Sequence, residues 1–291
     1  MKQIRYFIEA VLLYAFFGFF KILPPATASN IGGWIGRTVG PRLAASHKAL
    51  NNLASALPEK TEAEKKKIVA DMWDNLGRVM AEYPHLEKIG KSRITVVNRH
   101  IVENAIKSAQ GGVFFGAHQG NWEVNIPAML MQYNIAAYLT YRAANNPMSD
   151  YLLEKARTLG GRITVIPKAR SSAKDLMNAL KDKHFLGILI DQKYNEGLGV
   201  DFFDRPAMTN PIAVALGQKY KCPLIPVQNR RTGPAQFEIT LHEPLPLFTA
   251  DGRPLPVEQV LQAATMMIES WIRQEPGQWL WLHRRWDSNF N

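Results

Sequence analysis

The sequence predicts an α/β fold: a largely parallel central sheet flanked by helices, led by an N-terminal helical region and a membrane-associated segment. Three observations predict it. From about residue 93, short apolar runs alternate with amphipathic stretches, the pattern of strands joined by crossover helices. Residues 30–90 instead carry apolar positions at helical spacing. Ahead of both, residues 10–20 read AVLLYAFFGFF, with no charge.

The apolar run follows Lys2, Arg5 and Glu9 and is closed by Lys21 and Pro24-Pro25. A spanning helix needs about 20 apolar residues, which 6–23 approaches when Glu9 and Lys21 sit at the interfaces. The run reads as a membrane-anchoring or interfacial helix, as a core helix, or as a signal cleaved near Ala26-Thr27-Ala28. Cations on both sides assign no orientation. The expected division is a segment 1–28 followed by one domain, 29–291. In the helical lead, Thr61-Glu62-Ala63-Glu64 has the form of a capping box. Its Thr61 accepts from the amide three residues on while Glu64 reaches back. Ile68, Met72, Trp73, Leu76, Val79 and Met80 then form a core-facing stripe with a charged outer face. Strands are expected at 94–97, 113–116, 135–140, 163–166, 185–190, 224–228 and 237–241. Helices are expected near 100–109, 123–132, 148–159, 171–182 and 209–220. The proline-rich 243–256 reads as a loop, and a last helix covers 257–273.

Composition narrows the function. The chain has 291 residues, 46% of them hydrophobic, and a formal net charge of +10. That charge favours anionic partners: a membrane surface, an acidic carrier protein, a phosphorylated substrate or nucleic acid. Basic residues are spread along the chain apart from Lys65-Lys66-Lys67 and Arg284-Arg285, with no zinc-finger or RNA-binding signature, so no nucleic-acid partner is expected. The single cysteine, Cys222, excludes an intrachain disulfide framework and a cysteine-rich metal site, and reads as a small buried hydrophobe.

The chemistry concentrates in Gly116-Ala117-His118-Gln119-Gly120-Asn121-Trp122-Glu123. An apolar strand ends there, a turn follows and a helix begins. Ligands of α/β sheets bind at the carboxyl ends of strands, so His118 stands where chemistry occurs. On one continuous helix His118 and Glu123 would lie about 140° apart. With His118 in the turn and Glu123 in the first helical turn, the carboxylate can accept from one imidazole nitrogen, leaving the other as a base. Such a base takes the proton of a hydroxyl attacking an acyl carbonyl, and amides at the helix start would stabilise the oxyanion. The bland alternative is a turn histidine beside a carboxylate at a helix N-terminus. The H-x4-E spacing lacks the paired histidines of a zinc protease, and neither a G-x-S-x-G elbow nor a P-loop is present, so no metal is expected.

This block resembles the first motif of the lipid A biosynthesis (lauroyl/myristoyl) acyltransferase family, within the H-x4-D/E glycerolipid acyltransferase group. The resemblance continues in Tyr141-Arg142 with Asn145-Asn146-Pro147, in Arg157 with Gly160-Gly161, and in Asp191-Gln192. It extends through Phe202-Phe203 with Arg205-Pro206-Ala207-Met208-Thr209, and ends in Gln278-Trp279-Leu280-Trp281-Leu282-His283-Arg284-Arg285-Trp286. Two positions depart from it: Asp204 where glycine is expected and Trp279 where tyrosine is common. Both bear on acceptor or chain-length specificity more than on the reaction.

The resemblance implies acyl transfer with His118 as general base and Glu123 as its partner. It implies an acyl-ACP or acyl-CoA thioester donor and, as acceptor, a hydroxyl of a phosphorylated, acylated glucosamine disaccharide. It places the enzyme at the cytoplasmic face of the inner membrane. This chemistry requires no cofactor. The same dyad would serve another glycolipid or membrane lipid, such as a glycerophospholipid, an aminolipid or a glycosylated inositol lipid. A lipid-binding protein without activity would need no such pair.

The expected substrate-binding set is Asn121, Arg142, Arg157, Asp191, Gln192, Thr209, Arg284 and Arg285. Arg142 follows a strand and would hold a phosphate or sugar oxygen; Arg157 lies in a helix pattern and would otherwise be solvated. Asp191 and Gln192 end a strand and would bind the acceptor or brace the site. Thr209 binds substrate or caps the next helix, and Arg284 and Arg285 would grip a phosphate. Trp279, Trp281 and Trp286 belong at a membrane interface or in the core.

Overall fold

The computed structural model describes residues 2–286 except 136, 142 and 168–171. The helical lead comprises α1 (Lys2–Ile22), α2 (Pro25–Val39), α3 (Ala45–Ala56), α4 (Glu62–Glu82) and α5 (Leu86–Ser92). Among the described residues α1 is the one helix long and apolar enough to cross a membrane, by length and composition. It also packs on the protein: Phe17 and Phe20 are buried, and the Phe17 ring lies 6.0 Å from Tyr83. The boundary drawn at residue 28 falls inside α2. The capping box forms as the sequence predicts, with the Thr61 amide donating to Glu64 Oε2 at 2.8 Å and the Glu64 amide to Thr61 Oγ1 at 3.3 Å.

The contact between α2 and α4 rests on glycine. A methyl group built on Gly32 would overlap the Gly77 carbonyl oxygen, and one on Gly36 the Trp73 carbonyl oxygen. Only backbone fits between these helices. The α4 stripe is therefore split: Ile68, Met72 and Val79 are buried, whereas Trp73, Leu76 and Met80 are half-buried and face open space.

The remaining chain alternates strands and helices: β1 (Ile94–Val97), α6 (Arg99–Ser108), β2 (Gly112–Gly116), α7 (Asn125–Tyr133), β3 (Ala137–Tyr141), α8 (Pro147–Arg157), β4 (Thr164–Pro167), α9 (Ser172–Lys181), β5 (Phe185–Leu189), β6 (Leu198–Asp201), β7 (Pro206–Thr209), α10 (Ile212–Tyr220), β8 (Leu224–Gly233), β9 (Gln236–Leu241) and α11 (Val257–Gln274). A seven-stranded sheet has the order β1-β9-β8-β2-β5-β3-β4. Every neighbouring pair is parallel except the β8–β9 hairpin. The expected strand at 224–228 is thus longer, and it turns straight back. Strand alternation divides the core between two faces: Val113, Phe115, Leu186 and Ile188 pack with α9, α10 and α11, and Phe114, Phe185 and Ile225 with α5, α6 and α7.

One excursion has no counterpart in the sequence reading. The antiparallel pair β6–β7 lies outside the main sheet, with Leu198 opposite Thr209. Asp204, in its turn, has φ of 55°. This is the left-handed region that glycine enters freely and aspartate tolerates, which accounts for a glycine expectation there.

Candidate active site

The site begins with strand register. β2 and β5 are parallel neighbours, and Gly116 faces Leu189. His118 and Asp191 each lie two residues beyond, so parallel pairing brings them together at the carboxyl edge of the sheet. The Asp191 carboxylate accepts from the His118 backbone amide at 2.9 Å (Oδ2), from His118 Nδ1 at 2.8 Å (Oδ1) and from Trp279 Nε1 at 2.7 Å (Oδ2). Asp191 is only 3% exposed. Burial opposes its ionisation, but His118 and Trp279 outweigh that and hold the carboxyl well below its ordinary range. An ionised carboxylate only accepts, so Nδ1 carries the proton and Nε2 keeps the free lone pair. Gln192 Nε2 lies 3.2 Å from that Nε2. A side-chain amide presents either end, so Gln192 suits both the neutral ring and the imidazolium.

Glu123 is engaged elsewhere. Arg157 Nε donates to its Oε2 at 2.9 Å and Arg157 Nη2 to its Oε1 at 2.8 Å. Tyr83 OH and Trp122 Nε1 donate to Oε1 at 2.5 and 3.1 Å, and Arg157 Nη2 also donates to Tyr83 OH at 2.7 Å. Burial disfavours the Glu123 charge, yet Arg157, with the Tyr83 and Trp122 bonds, keeps its pKa below the ordinary value. Burial likewise works against Arg157, and Glu123 lifts its pKa above the usual value. The expected His118–Glu123 bond is therefore corrected: the imidazole's carboxylate is Asp191, and Glu123 belongs to an ion pair with Arg157. The two groups are bridged by Trp122, whose ring lies 5.1 Å from that of His118.

The turn between them is tied to distant elements. Gly120 has φ of 59°, and its missing side chain leaves room for Asn229. Asn229 Nδ2 donates to the Asn121 carbonyl at 3.0 Å, and Asn75 Nδ2 to the Gly120 carbonyl at 2.8 Å. Asn121 is fully buried. Its Nδ2 donates to Glu82, which is paired with Arg231, and its Oδ1 accepts from the Glu123 amide. The amides of 118, 120, 121, 123 and 124 are all already donating. The expectation of oxyanion donors among the helix-start amides is thus corrected at these five positions.

His118, Gln192, Glu123 and Arg157 line one cavity of about 580 Å³. Elsewhere its wall is apolar, with Phe114, Ile126, Met129, Leu139, Leu153 and Ile188, while Lys193, His283 and Arg284 line it from more exposed positions. An imidazole, a half-buried cation and an apolar pouch suit a substrate with a reactive polar end and a hydrocarbon tail.

A profile of the bacterial lipid A biosynthesis acyltransferase family matches residues 1–288. The chain belongs to this family. It is accordingly an O-acyltransferase of lipid A biosynthesis. It is 28% identical over 282 residues to the lipid A biosynthesis myristoyltransferase of Escherichia coli (strain K12), covering 90% of this chain and 81% of the relative. It is 28% identical to lipid A biosynthesis acyltransferase 1 of Shigella flexneri, with the same coverage, and 24% identical to the E. coli lipid A biosynthesis palmitoleoyltransferase, covering 90% and 86%.

In this lipid A acyltransferase the expected site residues separate into three groups. His118, Glu123, Arg157, Gln192 and Arg284 meet in the cavity, with Asp191 directly behind His118. Arg142 lies outside the described residues. Asn121, Thr209 and Arg285 are corrected to buried braces. Thr209 does not cap α10; its Oγ1 donates to the Ala207 carbonyl and accepts from Arg285 Nη2 at 2.6 Å, while Asn210 Oδ1 accepts from the Ile212 amide. Arg285 Nη1 donates to the Met208 carbonyl at 2.9 Å, and burial pulls its pKa down to about 10. Arg285 is 1% exposed and is held by β7 through these bonds. Trp279, Trp281 and Trp286 are core residues packed on Phe202 and Phe203.

Tyr83 and the role of Trp279 as a donor to Asp191 escaped sequence reasoning. Tyr83 lies inside the helical lead, between α4 and α5, where no motif marks it. Trp279 stands where tyrosine is common, and both side chains carry a donor at the tip of a ring; that shared chemistry is the signal.

Proposed function

We propose that this acyltransferase moves a fatty acyl group from a thioester, acyl-ACP or acyl-CoA, to a hydroxyl of a lipid A precursor at the cytoplasmic face of the inner membrane. The observation that carries the reading is the His118–Asp191 pair opening onto a cavity with a polar end and an apolar end. His118 Nε2 takes the proton of the acceptor hydroxyl as its oxygen attacks the thioester carbonyl carbon. Asp191 holds the tautomer and stabilises the imidazolium. The oxyanion is met by the Arg157 charge, which Glu123 and Tyr83 position. The carbon–sulfur bond then breaks, and the imidazolium returns its proton to the leaving thiolate, so an ester and a thiol result.

The apolar end of the cavity takes the donor's hydrocarbon chain. Arg284 and Lys193 supply positive charge for a phosphorylated headgroup, in keeping with the net charge of +10. The relatives' names, which specify myristoyl and palmitoleoyl transfer in lipid A biosynthesis, support the same acceptor class. The exposed apolar face of α1, including Ile4, Phe7, Ile8 and Val11, supports membrane association with the helix lying against the protein.

The test uses purified, detergent-solubilised enzyme with acyl-ACP and acyl-CoA donors and a tetra-acylated precursor, read by mass. The wild type adds one acyl group. His118→Ala lowers the rate about 10²–10⁴-fold, the usual worth of a general base. Full turnover by folded His118→Ala would end this mechanism.

A further inference from the structure

A second apolar space lies outside the catalytic cavity. It is a groove of about 550 Å³ between α1, α2 and α4, walled by Leu13, Phe16, Ile35, Trp73, Leu76 and Met80. Gly32, Gly36, Gly40 and Gly77 form its floor. Because α2 and α4 meet through backbone, no side chain fills the space above their seam. Almost nothing in the wall can recognise a polar ligand. Trp73 Nε1 is already donating to Ser46 Oγ at 2.8 Å, and Glu9 at the edge is paired with Arg5 at 3.2 Å.

Two observations say what enters. First, Met80 lines both the groove and the catalytic cavity, so the two spaces adjoin at this residue. Second, Leu12, Ile35, Val39 and Leu43 belong to the groove and are themselves exposed, continuous with the outward apolar residues of α1 and with Trp34. The groove thus runs from the apolar outer face toward the reaction site.

We propose that this groove holds one acyl chain of the lipid acceptor while the acceptor's hydroxyl reaches into the cavity beside His118. The inference rests on the acyl-transfer reading and adds a site to it. An acceptor carrying several chains must lift its headgroup toward the sheet edge, and each methylene drawn into water on the way is unfavourable. A groove that adjoins the cavity removes that cost for a chain next to the reacting hydroxyl. The donor chain and the acceptor chain then occupy separate compartments that adjoin at Met80.

Two measurements on the full chain test this. A tetra-acylated acceptor carrying a diazirine at an acyl terminus is irradiated with the enzyme, and labelled peptides are mapped. Label is expected on α2 and α4 around Ile35 and Leu76, and is lost in Ile35→Trp and Leu12→Trp, two substitutions at exposed positions that fill the groove from opposite helices. In the same variants KM for the acylated acceptor rises about tenfold, roughly two methylenes of lost contact, while KM for the thioester donor stays at the wild-type value. Label confined to peptides of the catalytic cavity, or an acceptor KM unchanged in both variants, overturns the groove. Absence of acyl transfer by the wild type would instead strike the functional reading, and the mapped label still decides the groove.

Discussion

At the residue scale, two carboxylates at the site, one on the cavity wall and one behind it, have different neighbours. Asp191 accepts from the His118 imidazole and from two other N–H donors, so it orients the imidazole. Glu123 faces a guanidinium, so it holds a cation. Glu123 is buried, and removing its partner leaves an uncompensated charge. Arg157→Leu is expected to cost about 3–5 kcal/mol, and a Glu123→Leu/Arg157→Leu double substitution to recover most of that; urea melts of the three variants check both. The pH dependence has a definite sign. Because the folded Glu123 carboxyl sits below its ordinary value, its contribution to stability is complete above about pH 4.3, the unfolded value. It is lost as pH falls through the folded value. In Arg157→Leu that acid-side loss disappears. Of these residues, the motif alone marked His118 and Glu123, and strand-end position marked Asp191. Which carboxylate touches the imidazole was not legible, since it depends on β2 lying beside β5.

At the element scale, the turn after β2 is rigid because it is tied at several points. Asn75 of α4, Asn229 of β8 and the segment around Gln278 all bond to residues 119–121. The helical lead is thus part of the active-site frame, and its seam with α2 matters to both the site and the groove. Gly36→Leu forces a side chain onto the Trp73 carbonyl and is expected to lower stability by about 1–3 kcal/mol, the range for overpacking. Gly18→Leu is the control, because a methyl group there meets nothing within 4 Å. Thermal melts in detergent separate the two; equal melting temperatures would refute the seam. The helices and main strands were readable from periodicity, with ends differing by a few residues. β6 and β7 were not, because each is four residues long and they contain glycine and proline.

At the scale of the whole molecule, a basic protein carries an apolar outer face on α1 and α2 and a cavity at the sheet edge. The expected consequence is attachment to anionic membranes through both charge and apolar contact. Phe7→Glu with Val11→Glu alters only exposed positions. It should abolish co-sedimentation with anionic vesicles while leaving the melting temperature within a degree or two of wild type. Undiminished vesicle binding by this variant would remove α1 from the membrane contact.

Sequence by itself determined what is local or compositional. Alternating apolar runs specified strands and crossovers, a capping box specified where α4 begins, the H-x4-E block marked two residues that line the cavity, and ordered motifs through Trp286 carried the family. Only the tertiary structure decided who partners whom. His118 and Asp191 are separated by α7, β3, α8, β4, α9 and β5, and they meet because parallel pairing sets Gly116 opposite Leu189. Glu123 and Arg157 meet because α8 returns its last residue to the cavity wall. The groove exists because glycines of two helices meet at the backbone. Periodicity records which face of an element is buried; it holds no record of which element covers that face, and that covering sets the partner of every buried charge.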